Sequence, residues 1–300
     1  MIFASPVSRC GMVAIVGRPN VGKSTFLNRV IGQKLSITSR KPQTTRYQIL
    51  GIKTEGVHQI VFVDTPGLHR GRHGALDRAL NREAIKAIAQ VDIILFMVEA
   101  LRWTEDDQYV LKCIKPAACP VLVAVNKVDT VADKSQLLPY LSEVSGFMNL
   151  AEIVPLSSST GDNIVALEEA LKSRLPERPA LFPADELSDR GERFFAAELI
   201  REQLLRRLGA EVPHRLTVMI DEFVSKPHIT CIDATIWVER PGQKQIVVGA
   251  HGAVLKAVGQ HARLEMERLF GSRVFLRTWV KVKEGWSDDI RALGRLGFHD

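Results

Sequence analysis

Cysteine is scarce. The four in the chain, Cys10, Cys113, Cys119 and Cys231, never fall into C-x-x-C spacing, and they are too few to staple 300 residues. Zinc-ribbon and disulfide-scaffold classes are therefore excluded, and a reduced, cytoplasmic protein is the reading that follows. Long apolar runs are missing too. No stretch nears the roughly 18 apolar residues that mark a membrane-spanning helix, and MIFASPVSRC lacks the apolar run of a secretion signal. On this count only peripheral contact, at the inner face of a cell membrane, stays open. The eight histidines show no metal-ligand spacing, and neither repeats nor low-complexity tracts occur. What is present is ordinary globular material, 46% hydrophobic, in a chain long enough for two domains.

Charge is unevenly placed. Lys and Arg exceed Asp and Glu only by 40 to 34 overall, yet between Arg240 and Lys283 nine basic residues stand against two acidic ones, Glu265 and Glu267. A local excess of that kind points to an anionic partner.

From Met12 to about Leu175 short β-rich runs alternate with helical patterns. The runs are MVAIVG, YQILGIKTEG, HQIVFVDT, DIILFMVEA, CPVLVAVNK and AEIVPLS; the helices fall at about 24–31, 75–89, 105–114, 134–147 and 163–174. Strand then helix, repeated, predicts an α/β domain with a mostly parallel sheet covered on both faces. Pro176, Pro179 and Pro183 then crowd together and predict an extended linker, which divides the chain into 1–176, a linker at 177–189, and 190–300. Past it, Ser188 with Glu192 opens a helix. Its apolar positions Phe194, Phe195, Leu199, Ile200, Leu204 and Leu208 suit packing rather than membrane binding. Strands RLTVMIDEF and ITCIDATIWVE, a glycine pair at Gly249 and Gly252, a helix at about 253–269 and a strand RVFLRTWVKVK complete an α+β domain. Trp237, Trp279 and Trp286 read as packing residues rather than stacking platforms.

The first chemistry-bearing motif lies between a strand and a helix. Gly17, Arg18, Pro19, Asn20, Val21, Gly22, Lys23 and Ser24, followed by Thr25, fit G-x-x-x-x-G-K-[ST]. Glycines let backbone N–H groups curl around a β-phosphate, and the helix N-terminus adds a favourable dipole. Lys23 supplies a point charge to the β- and γ-phosphates and Ser24 a hydroxyl for Mg²⁺. Asp64, Thr65, Pro66 and Gly67 end the next apolar strand, so that Asp64 reaches Mg²⁺ and the Gly67 N–H the γ-phosphate. Asn126, Lys127, Val128 and Asp129 end another. The Asp129 carboxylate accepts from the N1–H and exocyclic amine of guanine, whereas adenine offers an acceptor at N1. Asn126 braces the phosphate loop, the Lys127 stem covers the base, and the backbone at Pro155, Leu156, Ser157 and Ser158 meets guanine O6.

With these residues in view, GRPNVGKST, ITSRKPQTTRY, VFVDTPGLH and NKVD resemble the translation-associated GTPases, the Era family in particular. RFFAAELIREQLLRRLGAEVPH and WVKVKEGWSDDIRALGRLGF resemble that family's RNA-binding half, so the resemblance covers nearly the whole chain. It implies a P-loop GTPase domain followed by an α+β KH domain of type II, a monomer, and hydrolysis of GTP to GDP with Mg²⁺. Gln43, Thr44, Thr45 and Arg46 would form the first switch, with Thr45 as the Mg²⁺ ligand and Thr44 as the alternative. Asn20 matches a position that helps hold K⁺ near the phosphates. Leu68 stands where many GTPases carry the glutamine that orients water; it has no donor or acceptor, so slow intrinsic hydrolysis follows and no catalytic base is assigned.

In a KH domain the loop Gly249, Ala250, His251, Gly252 would lie against an RNA backbone, with Lys244, Lys256, Arg273, Arg277 and Lys281 attracting phosphates. Ala250 departs from the family, which often has a polar or basic residue there. IVVG before the loop would be the end of a short helix, although its composition equally suits a strand. The implied partner is 16S ribosomal RNA near its 3′ end, in biogenesis of the 30S subunit. Two other readings stand beside this one: a membrane-associated GTPase regulating the cell cycle, and a non-catalytic RNA-binding protein that senses guanine nucleotides.

Overall fold

The computed structural model describes residues 8–39, 41, 44–70, 75–209 and 216–286. Gln43 and the Era-like residues at 210–214 and 287–298 lie outside the described residues. The chain divides into two compact units.

The first unit is a six-stranded sheet in the order β2-β3-β1-β4-β5-β6. Its strands are β1 (Arg9–Val16), β2 (Ile49–Glu55), β3 (His58–Asp64), β4 (Ile93–Glu99), β5 (Val121–Asn126) and β6 (Glu152–Pro155). All neighbours run parallel except the β2–β3 hairpin. The continuous apolar runs arise because both faces are covered. Val13, Ile15, Phe62, Leu95 and Met97 pack under α1 (Lys23–Ile31) and α5 (Ile164–Lys172), through Phe26, Leu27, Leu167 and Leu171. Ala14, Val16, Phe96 and Val98, one residue out of step, pack under α2 (Ala75–Ala89), α3 (Glu105–Ile114) and α4 (Leu137–Ser145). Period-two alternation thus splits one set of strands between two cores. The carboxyl ends of β1, β3 and β5 open onto one edge, where ligands of open α/β sheets bind.

Ser188 does not cap the next helix. It forms a bridge with Gly51 on β2, where Ile52 N donates to Leu187 O (2.9 Å) and Leu50 N to Asp189 Oδ1 (2.9 Å). Gly191 occupies the N-cap of α6 (Glu192–Arg207) instead.

In the second unit β7 (Leu216–Lys226), β8 (Ile229–Val238) and β9 (Arg273–Val282) form a sheet in that order. The first pair is antiparallel and the second parallel. Ile232, Ala234, Ile236 and Val238 share a core with Leu199, Ile200 and Leu204 of α6 and with Val258, Ala262 and Met266 of α8 (Ala253–Phe270). IVVG is helical: α7 (Pro241–Val248) begins on Pro241, and Gln243 Oε1 accepts from Glu239 N (2.9 Å) and Arg240 N (3.0 Å). Proline at the first helical position and a side chain satisfying two backbone donors decide what composition left open. The described part of Ile37–Thr44 groups with this unit, and Glu202 of α6 accepts from Thr38 N (2.9 Å) there. Among the described residues no helix is long and apolar enough to cross a membrane.

Candidate functional site

Three strand ends assemble the first site. The loop after β1 turns on Gly17 (φ 156°) and Gly22 (φ 108°), and a Cβ would lie 2.4 Å from Met97 O at the first and 2.2 Å from Asn126 Nδ2 at the second. Neither position has room for a side chain. The Lys23 ammonium, 6% exposed, donates to the carbonyls of Gly17 and Arg18 at 3.0 Å each. Gly67 lies against the same loop, since a Cβ there would stand 2.9 Å from Pro19 N. Asn20 is exposed with φ 65°. Leu68 is fully buried in the core beneath α2 and α3, so position 68 does not face solvent at all.

Burial holds the Lys23 ammonium down to about 8, against the opposing pull of Asp64. The sign is then fixed. Below that pH the free protein and its nucleotide complex both carry the charge. Above it the free protein has lost a proton that the polyphosphate restores. GDP affinity is therefore expected to be flat up to about pH 7 and to fall by up to about tenfold per unit above pH 8. Calorimetry in two buffers of different ionisation heat checks it: proton uptake on binding should appear at about pH 8.5 and vanish at about pH 7.

Ser24, Thr45 and Asp64 meet beside Lys23. Ser24 Oγ lies 2.9 Å from Thr45 Oγ1 and donates to Asp64 Oδ2 at 3.0 Å. Ser36 Oγ, a residue the motif reading did not single out, donates to the same oxygen at 2.8 Å. Asp64 Oδ1 is buried without a hydrogen-bond partner, and burial raises this carboxyl above its ordinary range despite Lys23. A fully buried acceptor with nothing to accept from, beside two hydroxyls, is a donor set of hard oxygens that fits Mg²⁺. The Thr44 hydroxyl donates to Lys41 O at 2.7 Å.

The loop after β5 carries the base-reading residues. Asn126, 2% exposed, donates to Val21 O (2.7 Å) and accepts from Ser158 N (2.8 Å) and Ser158 Oγ (3.0 Å), tying the phosphate loop to the segment after β6. Lys127 takes a left-handed φ of 67° and reaches Glu99 at 3.3 Å. Asp129 is exposed within the turn Val128–Thr130. Ser157 is fully buried, its N–H spent on Asp162 O (3.1 Å) and its hydroxyl accepting from Thr160 N (3.1 Å).

Sequence reasoning missed how Arg18 is held. Its guanidinium bonds Asp107 of α3 (3.0 Å) and Glu99 at the end of β4 (2.5 Å), and Glu99 is also the partner of Lys127. One carboxylate thus links the phosphate loop to the base-reading loop. Asp107 is fixed in turn by a capping box, accepting from Thr104 N at 2.9 Å. The T-x-x-D spacing announces the cap, but nothing local announces the arginine 89 residues away.

In the second unit, GAHG forms a sharp turn. Gly249 (φ 72°), His251 (φ 49°) and Gly252 (φ 78°) are left-handed, and a Cβ on Gly249 would sit 2.4 Å from Val254 Cγ2. Ala250 and His251 are exposed. The loop ends at an open groove lined by Gly252, Leu255, Lys256, Gly259, Gln260, Arg263, Leu276 and Thr278. Of the five basic residues singled out, only Lys256 lines it. Lys244 sits on α7, and Arg273, Arg277 and Lys281 alternate with Leu276 and Thr278 on the other side of β9. Arg263, two turns beyond Lys256 on the same helix face, was not anticipated; the seven-residue spacing is the signal that could have found it.

Comparison with known proteins fits both halves. Residues 12–127 match the family described as 50S ribosome-binding GTPase, and residues 211–287 match the KH domain. GTPase Era of Pseudomonas aeruginosa is 55% identical over 98% of this chain and 96% of its own length. The chain belongs to the Era family. GTPase Era of Ectopseudomonas mendocina is 54% identical, covering 99% of each chain. Two solved Era structures superpose with a TM-score of 0.94 at 36% identity. One, from Aquifex aeolicus, is bound to GDP.AlF4- and covers 97% of this chain and 100% of its own. The other is in complex with MgGDPNP and nucleotides 1506-1542 of 16S ribosomal RNA, covering 98% and 100%. As an Era GTPase this chain hydrolyses GTP, which removes the non-catalytic reading.

Proposed function

We propose that the chain binds 16S ribosomal RNA near its 3′ end through the glycine-loop groove, and that GTP binding and hydrolysis time this association during assembly of the small ribosomal subunit. The observation that carries it is the groove itself. A four-residue turn, three of its residues at positive φ, brings glycine backbone to its mouth, and Lys256, Arg263 and apolar Leu255 and Leu276 line it, as a clamp on sugar-phosphate with room for unpaired bases requires. The relative crystallised with nucleotides 1506-1542 supports the target. The family description at 12–127 speaks of the 50S ribosome, but it spans only the nucleotide half, whereas the RNA-bound relative matches 98% of the chain.

In the first unit Ser24, Thr45 and Asp64 would hold Mg²⁺, Lys23 and the loop amides the phosphates, and Asp129 the base. With Leu68 sealed in the core, no side chain at position 68 orients water, and slow intrinsic turnover follows. Asn20, exposed at the loop, would help hold K⁺ where charge develops, which predicts faster turnover in K⁺ than in Na⁺ and loss of that difference in Asn20→Ala. Equal wild-type rates in the two salts would sink the K⁺ role.

Gly252→Asp tests the groove. A carboxylate at its mouth should lower affinity for RNA of nucleotides 1506-1542 at least about tenfold in filter binding, with RNA-free GTP turnover unchanged. Wild-type protein that binds this RNA no better than a scrambled RNA of equal length would overturn the proposed target.

A further inference from the structure

β9 is an edge strand of its sheet, and its side chains alternate between two sides. Leu276 and Thr278 face the groove beside α8. Phe275, Arg277, Trp279 and Lys281 face the other way, in register with Cys231, Asp233, Thr235 and Trp237 of β8, the residues that alternate with its core positions. Trp286 is buried as a packing residue should be, but Phe275 is 50% and Trp279 42% exposed. The expectation that Trp279 packs is therefore overturned.

These rings are arranged, not merely exposed. The Arg277 guanidinium lies between them, 6.0 Å from the Phe275 centroid and 5.6 Å from that of Trp279. Asp233, its register partner, fixes it with bonds of 2.7 and 2.6 Å. Lys283 Nζ sits 4.6 Å over the neighbouring Trp237 ring.

The chemistry selects the occupant. From Arg273 to Lys283 the chain carries four basic residues, three of them on β9, and no acidic one; the one acid in register with them on β8, Asp233, is taken up by Arg277. Cationic side chains favour a polyanion, and rings about half exposed favour bases free to stack, a combination that suits single-stranded RNA better than a lipid surface or an apolar peptide. The groove lies on one side of this same edge strand. Because β9 lies at the edge of its sheet, an RNA strand leaving the groove reaches the rings by rounding a single strand.

We propose that the open face of β8 and β9 is a second contact surface for single-stranded RNA. Unpaired bases stack on Phe275 and Trp279, and phosphates meet Arg273, Lys281 and Lys283, lengthening the stretch held by the groove. This rests on the groove being an RNA site.

The test uses the full-length protein, RNA of nucleotides 1506-1542 and pentanucleotides tiled across that segment. Trp279→Ala and Phe275→Ala should each weaken the long RNA about tenfold, with Trp279→Phe restoring most of the loss. Pentanucleotides that fill the groove alone should bind Trp279→Ala as they bind wild type, and RNA-free GTP turnover should not change. Wild-type affinity of Trp279→Ala for the long RNA overturns this inference while leaving the groove intact. So does an equal loss on the pentanucleotides, which would mark damage to the fold. Unchanged affinity for naked RNA with lost association to small subunits would put a protein on this face and overturn it too. No binding of any of these RNAs by wild type would overturn the groove reading and this inference together.

Discussion

Asp129→Asn should weaken GTP binding about a hundredfold or more while admitting xanthosine triphosphate. The carboxylate stands exposed on a turn anchored at both ends, by Val128 N to Leu156 O (3.2 Å) and Thr130 N to Lys127 O (3.0 Å). It can therefore accept from guanine N1–H and the exocyclic amine without rearrangement. Hydrogen bonds to a charged group contribute about 1.5–3 kcal/mol each, and the asparagine amide would oppose one donor with another. Xanthine carries a carbonyl in place of that amine, so the same amide becomes its partner. Titrating the variant with both nucleotides decides the matter. Equal weakening for GTP and xanthosine triphosphate would mean that the turn, rather than recognition, was damaged; an unchanged Tm is expected because the side chain supports nothing else.

Asn126→Ala should be costly in both stability and nucleotide affinity. Its side chain makes three buried bonds, to Val21 O, Ser158 N and Ser158 Oγ, between loops more than a hundred residues apart in part. Alanine leaves the Val21 carbonyl and the Ser158 amide without partners in buried space, at about 1–3 kcal/mol each. A loss near 3 kcal/mol in a unit of this size corresponds to a fall in Tm of roughly 10 °C. The phosphate loop loses its brace at the residue before Gly22, so GDP affinity should drop about a hundredfold, of the order of the same energy. Calorimetric unfolding and GDP titration read the two effects separately. Retention of GDP affinity within a few-fold would show that the loop holds its shape without this asparagine.

Much of the first unit could be read from the chain. The bounds of α3 follow from Thr104 and the apolar spacing behind it, and the sheet follows from runs such as IILFMV that only a doubly covered strand can bury. Motifs located Lys23, Ser24, Asp64 and Asn126, because backbone geometry forces glycine and strand ends at fixed offsets. What stayed hidden was long-range and polar. Nothing beside Arg18 announces Glu99, 81 residues on, since hydrophobic period reports which face is apolar and not which charge waits across a cleft. The three basic residues of β9 were placed with the RNA loop by composition, whereas the two-residue pleat sends them to the far side of the strand. Ser188 looked like a helix cap because serine before a glutamate commonly is one; the free backbone of β2 claimed it instead.

That last choice reaches beyond the segment it concerns. β2 is one of the two outermost strands of the six, and an outermost strand offers its amides and carbonyls to any extended peptide it meets. Leu187 and Asp189 occupy the outward donors of Ile52 and Leu50. Residues 187–189, at the end of the proline-rich stretch, therefore cover this part of the edge in the folded unit and withhold those two donors from a strand of another molecule.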